Sequence, residues 1–202
     1  MNTLSNILEK PEMITRRDEP VYFEFQNPYL FASLLQGLRE TVNPGVRGSV
    51  DLYPGDWYEE RDCRLFAAVR YSGALALTPL CIAAVTKDGE LVSLCASPGN
   101  HAVVKDFLKE ILFTSAFRYL QCLETDKLRA LYSELGLRRV AGMPWDSDLK
   151  PEGWDSSRFG CPSFMVYASR YLPRYLELDD NKRMFTSSDT FTKCLQNFDI
   201  VL

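Results

Sequence analysis

The sequence lacks the short motifs that mark many nucleotide-dependent and hydrolytic enzymes. It contains no Gly-x-Gly-x-x-Gly, no Walker phosphate loop, no His-Glu-x-x-His and no Gly-x-Ser-x-Gly. Histidine is nearly absent: His101 is the single example in 202 residues, so a site that needs two histidines is excluded. A hydrolase pairing His101 with a cysteine is a minor alternative, because no local signature marks an activated cysteine.

An excess of charge of one sign is lacking too. The 23 basic and 27 acidic residues give a net charge of −4, which disfavours a dedicated nucleic-acid binder. The six cysteines form no Cys-x-x-Cys pair, so we expect no metal site and six reduced thiols. The longest apolar run, residues 74–85, is too short to span a membrane, and the first 20 residues lack the apolar core of a signal peptide. We therefore expect a soluble, cytoplasmic protein without membrane contacts.

Composition and length predict one globular domain with polar ends. A hydrophobic fraction of 46% is enough for a sizeable core in a chain of this length. We predict an N-terminal arm over residues 1–20, a single domain over 21–172 and a C-terminal extension over 173–202.

Hydrophobic periodicity and capping residues predict an ordered series of helices and strands. The segment 46–62 is rich in turn residues and gives an ambiguous pattern, and 143–160 is predicted as a long loop. The predicted elements are a strand at 21–25, a helix at 28–41 capped by Asn27, strands at 64–71, 77–86 and 90–96, a helix from near Ala102, a strand at 119–123, a helix between Thr125 and Gly136, and strands at 137–142 and 163–169. This order predicts an α/β (α+β) fold with a mixed, mostly antiparallel sheet of about seven strands flanked by helices.

One strand-to-helix turn has the features of a phosphate-binding site. Ser97-Pro98-Gly99-Asn100 ends the strand at 90–96 and leads directly into a helix. The first N–H groups of a helix lack internal partners and carry partial positive charge, and glycine lets the backbone approach a ligand closely. Many such turns bind nothing, so the pattern by itself identifies no ligand.

A second segment is more specific. Leu131-Tyr132-Ser133-Glu134-Leu135-Gly136-Leu137-Arg138-Arg139-Val140 resembles the Leu-Tyr-x-x-x-Gly-Phe-x-x-Val motif of the GNAT acyltransferase superfamily. The predicted order of elements is similar to that of the superfamily over residues 20–172. A narrower similarity to phage-encoded members rests on Ser93–Gly99, Pro151–Asp155 and Pro162–Val166.

The resemblance implies an activity and a set of residues for it. The expected reaction moves an acyl group, in the first instance acetyl, from acetyl-CoA to an amine acceptor. Tyr132 would protonate the departing thiolate, unless it is simply a core tyrosine. The resemblance assigns coenzyme A to two backbone segments: N–H groups of Leu94, Cys95 and Ala96 would polarise the thioester carbonyl, and the turn and helix start at Gly99, Asn100, His101, Ala102 and Val103 would hold the pyrophosphate.

Three further residues have two interpretations each. Glu124, at the end of a predicted strand, either relays a proton or faces solvent. Trp145 and Trp154 lie in a loop rich in carboxylates. They form an acceptor pocket for a cationic amine, or they pin a solvated loop.

The expected coenzyme-A loop departs from the family pattern. The usual (Gln/Arg)-x-x-Gly-x-(Gly/Ala) is replaced by Pro98-Gly99-Asn100-His101-Ala102-Val103, which has no arginine. The alternative function is therefore a non-catalytic protein of the same fold, which would contact a protein partner through its terminal arms. Acylation of nucleic-acid bases is a third option that the acidic balance disfavours.

Overall fold

A single seven-stranded sheet organises the computed structural model, which describes residues 19–71, 77–114 and 117–169. The sheet order is β1-β2-β3-β4-β5-β7-β6, and every neighbouring pair is antiparallel except β4 and β5, which are parallel. The strands are β1 Val21–Phe25, β2 Arg64–Tyr71, β3 Leu77–Val85, β4 Glu90–Ala96, β5 Tyr119–Leu123, β6 Arg138–Met143 and β7 Phe164–Ala168. The fold class predicted from the sequence, an α/β fold with a mixed, mostly antiparallel sheet of about seven strands flanked by helices, is confirmed.

Six helices accompany the sheet in the described part of the chain. They are α1 Pro28–Thr41, α2 Pro44–Arg47, α3 Gly55–Glu60, α4 His101–Thr114, α5 Asp126–Glu134 and α6 Ser156–Phe159. Helix α1 has the predicted bounds: the Asn27 side chain accepts hydrogen bonds from the N–H groups of Tyr29 and Leu30, both at 3.0 Å, and Pro28 occupies the first turn. Thr125 caps α5 in the same manner, by accepting from Leu128 N–H.

The sheet buries a hydrophobic core on each face. On one face α4 and α5 cover alternate residues of the strands, including Phe66, Ala68 and Cys81. On the other face α1 and α3 cover the intervening residues, including Ala67 and Ile82. The period-two alternation of strand side chains assigns neighbouring residues to different cores.

The ambiguous segment and the predicted loop both contain short helices. The first, 46–62, includes the end of α2 and all of α3, and the second, 143–160, includes α6 and a 3₁₀ turn at Ser147–Leu149. Side chains of Asn43, Asp146 and Asp155 cap α2, the 3₁₀ turn and α6. These helices are too short to give a hydrophobic period, so pattern analysis missed them.

Several predictions concern residues for which no structure is described. Residues 1–18 and 170–202, which include most of the two predicted arms and Cys194, lie outside the described residues, as does the predicted turn at Ser72-Gly73. The five other cysteines are free, as expected. No helix in the described ranges has the length and apolarity needed to cross a membrane. Among the same residues, no group of three or more His, Cys, Asp or Glu is arranged to hold a metal ion.

Candidate functional site

The sheet opens between its two parallel strands. Strands β4 and β5 pair only at Glu90 with Tyr119 and at Leu91 with Leu120. Beyond these two pairs the two strands no longer pair, so no hydrogen-bonded ladder joins the second half of β4 to β5. Backbone polar groups that leave a ladder are available to a ligand.

A bulge in β4 lies at this opening. Ile82 pairs with Cys95 and Ala84 pairs with Val92, so two residues of β4 oppose one residue of β3. Ser93, inside the bulge, has φ +57°, a conformation that costs a non-glycine residue about 1–3 kcal/mol and that must be held by its surroundings. Its hydroxyl lies 2.8 Å from the buried hydroxyl of Tyr58 on α3. The bulge re-aims the backbone of Leu94, Cys95 and Ala96, the residues that sequence analysis assigned to the thioester carbonyl.

Helix α4 begins at the same end of β4 with unused N–H groups. Gly99 has φ +84° and the space beside its Cα is open, and the Asn100 side chain donates to Ser97 Oγ at 2.6 Å. The first N–H that bonds back into the helix belongs to Val104. Within the described residues the N–H groups of His101, Ala102 and Val103 have no partner, and the first turn carries no acidic side chain. This end of α4 therefore has the positive potential that favours an anion.

Arg70 adds a positive charge at this edge of the sheet. Strands β2 and β4 are both antiparallel to β3, so their C-terminal ends lie on the same side of the sheet. Arg70, near the C-terminal end of β2, therefore lies on the side where α4 begins. Alternation along β2 puts Arg70 on the face of Phe66 and Ala68, which α4 covers. Its Nε is buried and has no hydrogen-bond partner among the described residues. Sequence analysis sought an arginine only in the loop before α4 and so missed Arg70.

Tyr132 lies in the core on α5, close to the β5 side of the opening. Its ring is 5.0 Å from that of Tyr167, and the hydroxyl is near the thiols of Cys122 on β5 and Cys81 on β3. Burial, with smaller contributions from Cys122, Tyr167 and Cys81, raises the Tyr132 pKa well above its ordinary value. No described residue forms a hydrogen bond with the hydroxyl. Tyr132 is thus a protonated donor without an acceptor, beside the gap between β4 and β5.

Glu124, unlike the Tyr132 hydroxyl, has several hydrogen-bond partners. It is buried, and it accepts hydrogen bonds from Tyr167 and from Arg129, the latter at 2.6 Å and 3.0 Å, while Arg139 lies 3.4 Å away. Burial alone would raise its pKa, but the bonds from Tyr167 and Arg129 and the charge of Arg139 outweigh burial and lower it. The interpretation that Glu124 faces solvent is therefore excluded, and the carboxylate is a weak base held by three partners.

The two tryptophans belong to an aromatic cluster in the loop between β6 and β7. Trp154 is 4% exposed and its indole N–H donates to the carbonyl of Gly160 at 3.0 Å. Trp145 stacks on Phe164, with ring centroids 6.0 Å apart. Trp154 thus pins the loop, and its ring also contacts those of Trp145 and Phe159. Their contact with an acceptor stays a prediction.

A cavity of about 350 Å³ lies beside β5. Its walls come from the segment after α2, from β5, from the loop after the 3₁₀ turn and from the start of β7, and include Asp51, Cys122, Leu123, Leu149 and Phe164. Asp51 was not singled out in the sequence, because the segment around it shows no period and its neighbours in the cavity are far away along the chain.

No family model matches the sequence, and no curated protein matches it. Solved structures similar to this chain include an acetyltransferase from Bacillus subtilis in complex with CoA (14% identity, 76% of this chain and 100% of that chain, TM-score 0.48). An N-acyl amino acid synthase from uncultured soil microbes is 13% identical over 75% of this chain and 90% of that chain, with a TM-score of 0.48. A GCN5-related N-acetyltransferase from Rhodopseudomonas palustris is 9% identical over 77% and 98% of the two chains, with a TM-score of 0.42. At these identities and TM-scores, the function of this chain has to be argued from its own residues.

Proposed function

We propose that the protein transfers an acyl group from a coenzyme A thioester to an amine. The observation that carries the proposal is the unpartnered, protonated hydroxyl of Tyr132 beside the opening between β4 and β5. A thioester between these strands would present its sulfur to this hydroxyl. The hydroxyl would donate a hydrogen bond to the sulfur and supply a proton as the C–S bond breaks.

In this proposal the bulged half of β4 binds the thioester oxygen. Among Leu94, Cys95 and Ala96, the N–H groups that point away from β3, beyond the end of the β4–β5 ladder, would donate to the thioester oxygen, where negative charge develops during attack by the amine. Fixed backbone donors are suited to this role because they need no reorganisation in the transition state. The Ser93–Tyr58 contact would hold them in place.

The start of α4 would hold the pyrophosphate. The N–H groups of His101, Ala102 and Val103 have no partner among the described residues, and with Gly99 and Asn100 before them they form a donor surface at a positive helix end. Arg70 would supply the positive charge that the family loop takes from its own arginine.

A thermal-shift titration tests the proposal directly. A ligand at 100 times its dissociation constant adds about 2.7 kcal/mol of stability, which for this chain length corresponds to a rise in Tm of roughly 5–10 °C. We expect this rise with acetyl-CoA and with free coenzyme A, and none with pantetheine, which lacks the pyrophosphate. Absence of any shift at millimolar acetyl-CoA would refute the proposal and favour the non-catalytic binding protein.

Replacing Arg70 distinguishes its contribution to pyrophosphate binding from that of the backbone N–H groups of α4. Arg70→Gln should weaken acetyl-CoA binding by about 10- to 100-fold, because a hydrogen bond to a charged group contributes roughly 1.5–3 kcal/mol. Lys87→Gln, at the exposed hairpin on the opposite edge of the sheet, removes the same charge as a matched control. Calorimetric titration measures both. Equal affinities in the two variants would exclude contact between Arg70 and the phosphates.

A further inference from the structure

Two consecutive residues of β4 face the same side of the sheet. Leu91 packs in the core that α4 and α5 cover, and Val92 packs in the core that α1 and α3 cover, as strand alternation requires. Ser93 then repeats the face of Val92, because its hydroxyl contacts Tyr58 in the same core, and Leu94 returns to the α4 side. The extra residue shifts the pairing with β3 by one position, so it determines which N–H groups beyond it point away from β3.

The backbone conformation at Ser93 would suit a glycine better than a serine. Its φ of +57° lies in the left-handed region, which glycine adopts without strain. What the serine adds is a hydroxyl, and this hydroxyl lies 2.8 Å from that of Tyr58. Both residues are buried, and the Ser93 hydroxyl has no other hydrogen-bond partner among the described residues. Because a strained residue persists only where its surroundings hold it, the contact with Tyr58 is what fixes the bulge.

The surroundings of Tyr58 fix the position of its hydroxyl in turn. The rings of Phe31, Tyr53 and Trp57 meet the Tyr58 ring edge to face, at centroid distances of 5.0, 6.0 and 5.3 Å. The backbone N–H of Tyr53 donates to the Tyr58 hydroxyl oxygen at 3.4 Å, which leaves the hydroxyl proton for Ser93. Burial raises the pKa of Tyr58, so the proton is retained at neutral pH. Helix α3 thus presents a fixed donor to the bulge.

We propose that Tyr58 is a positioning residue for acyl transfer, which acts through Ser93 to keep the backbone donors of β4 aimed at the thioester oxygen. This inference rests on the proposed function, and it adds a residue that does not itself touch the substrate. Without the bond to Tyr58, the backbone at Ser93 is free to leave its left-handed conformation and the donors turn with it. The loss falls on the polarisation of the carbonyl, because fixed donors act on the charge that develops there. Affinity for coenzyme A, which the proposed function assigns to the start of α4, is retained.

The polarisation of the carbonyl can be measured without an acceptor amine. The full chain is loaded with acetyl-CoA carrying ¹³C at the thioester carbonyl, the carbonyl stretch is recorded by isotope-edited infrared spectroscopy, and affinity is measured by calorimetry. We expect the stretch of the bound thioester to lie at lower frequency than in water, because aligned donors weaken the C=O bond. Tyr58→Phe keeps the ring and should lose about half of this shift or more, with acetyl-CoA affinity within about threefold of the unmodified protein.

A second variant and a control complete the experiment. Ser93→Gly removes the hydroxyl and adopts φ +57° freely, so the protein should keep its Tm and lose the same part of the carbonyl shift. The double variant should lose no more than either single variant, since both changes break the same bond. Tyr53→Phe is the matched control, because it removes a hydroxyl from a ring that contacts Tyr58, and that hydroxyl has no hydrogen bond within the described ranges. It should leave the carbonyl shift unchanged.

Three outcomes would overturn the inference. Carbonyl shifts in Tyr58→Phe and Ser93→Gly equal to that of Tyr53→Phe would make Tyr58 a core residue only and leave the proposed function standing. An unshifted carbonyl in the unmodified protein with acetyl-CoA bound would refute the backbone donors, and this inference with them. Failure of the unmodified protein to bind acetyl-CoA would refute the proposed function and this inference together.

Discussion

At the scale of single residues, two tyrosines whose rings are in contact differ in the hydrogen bonding of their hydroxyl groups. The Tyr132 hydroxyl has no hydrogen-bond partner among the residues that the structure describes, whereas the Tyr167 hydroxyl donates to Glu124. We expect Tyr132→Phe to leave acetyl-CoA affinity and Tm nearly unchanged, because no hydrogen bond in the described structure is lost. Turnover should fall about 10²-fold, because the donor to the leaving sulfur is removed. Steady-state kinetics and a melting curve measure both effects.

Tyr167→Phe is the matched control for this experiment. It removes the same atom from the neighbouring ring, but it also removes a hydrogen bond to a buried carboxylate, so the protein should lose about 1.5–3 kcal/mol of stability. If Tyr132→Phe loses stability like Tyr167→Phe and keeps its turnover, Tyr132 is only a core residue.

At the scale of elements, the start of α4 depends on backbone geometry rather than on a side chain. Gly99 has φ +84° and open space around it, so substitutions are limited by conformation and not by neighbouring atoms. Asn and Asp both tolerate left-handed backbone, and only Asp adds a negative charge. We therefore expect Gly99→Asp to weaken acetyl-CoA binding at least 10-fold by repelling the pyrophosphate, with the melting temperature of the free protein near that of Gly99→Asn.

Gly99→Asn serves as the neutral control, since it changes shape without changing charge. Its acetyl-CoA affinity should stay within about threefold of the unmodified protein. Calorimetric titration of the pair at low and high salt distinguishes charge from shape, because repulsion between exposed charges is screened by salt. Identical affinities for the two variants would place the phosphates elsewhere.

At the scale of the whole molecule, the Glu124 carboxylate connects four elements through hydrogen bonds and ion pairs. Glu124 directly follows β5, and its partners Arg129, Arg139 and Tyr167 lie on α5, β6 and β7. Its pKa in the folded protein is below the ordinary 4.5, so the stability it contributes is complete above pH 4.5 and is lost as the pH falls through the folded-state pKa. Glu124→Gln should therefore lose about 2 kcal/mol at pH 7, and the deficit should shrink as the pH falls below 4.5.

Denaturant unfolding at several pH values measures this deficit. Glu60→Gln, at an exposed position on α3, controls for the loss of one negative charge and should change stability by less than 0.5 kcal/mol. A deficit of Glu124→Gln that stays constant from pH 7 to pH 3 would mean that ionisation of Glu124 does not contribute to folding.

Local signals made part of the fold predictable. The bounds of α1 follow from Asn27, Pro28 and a helical stripe within fourteen residues, and the parts of the candidate site at Gly99–Val103 and Tyr132 lie in contiguous motifs. Helices α2, α3 and α6 have four, six and four residues, and they were missed because one or two turns are too few to show a repeating hydrophobic pattern. The unpaired N–H groups at the start of α4 were also predictable, because the first N–H groups of every helix lack partners within the helix.

The sequence by itself determined the order of elements, the mixed sheet and the chemical types available to the site, since these depend on neighbours within a few turns of chain. Only the tertiary structure decided the environment of the carboxylates near β5. Glu124 directly follows β5, and its position in the sequence suggested either a proton relay or a residue facing solvent, yet residues up to 43 positions away hold it ionised. Asp51 lies in a segment without a pattern, yet the fold places it at the cavity beside β5. Desolvation and hydrogen bonding set the basicity of a carboxyl group, and both depend on side chains that only folding brings together.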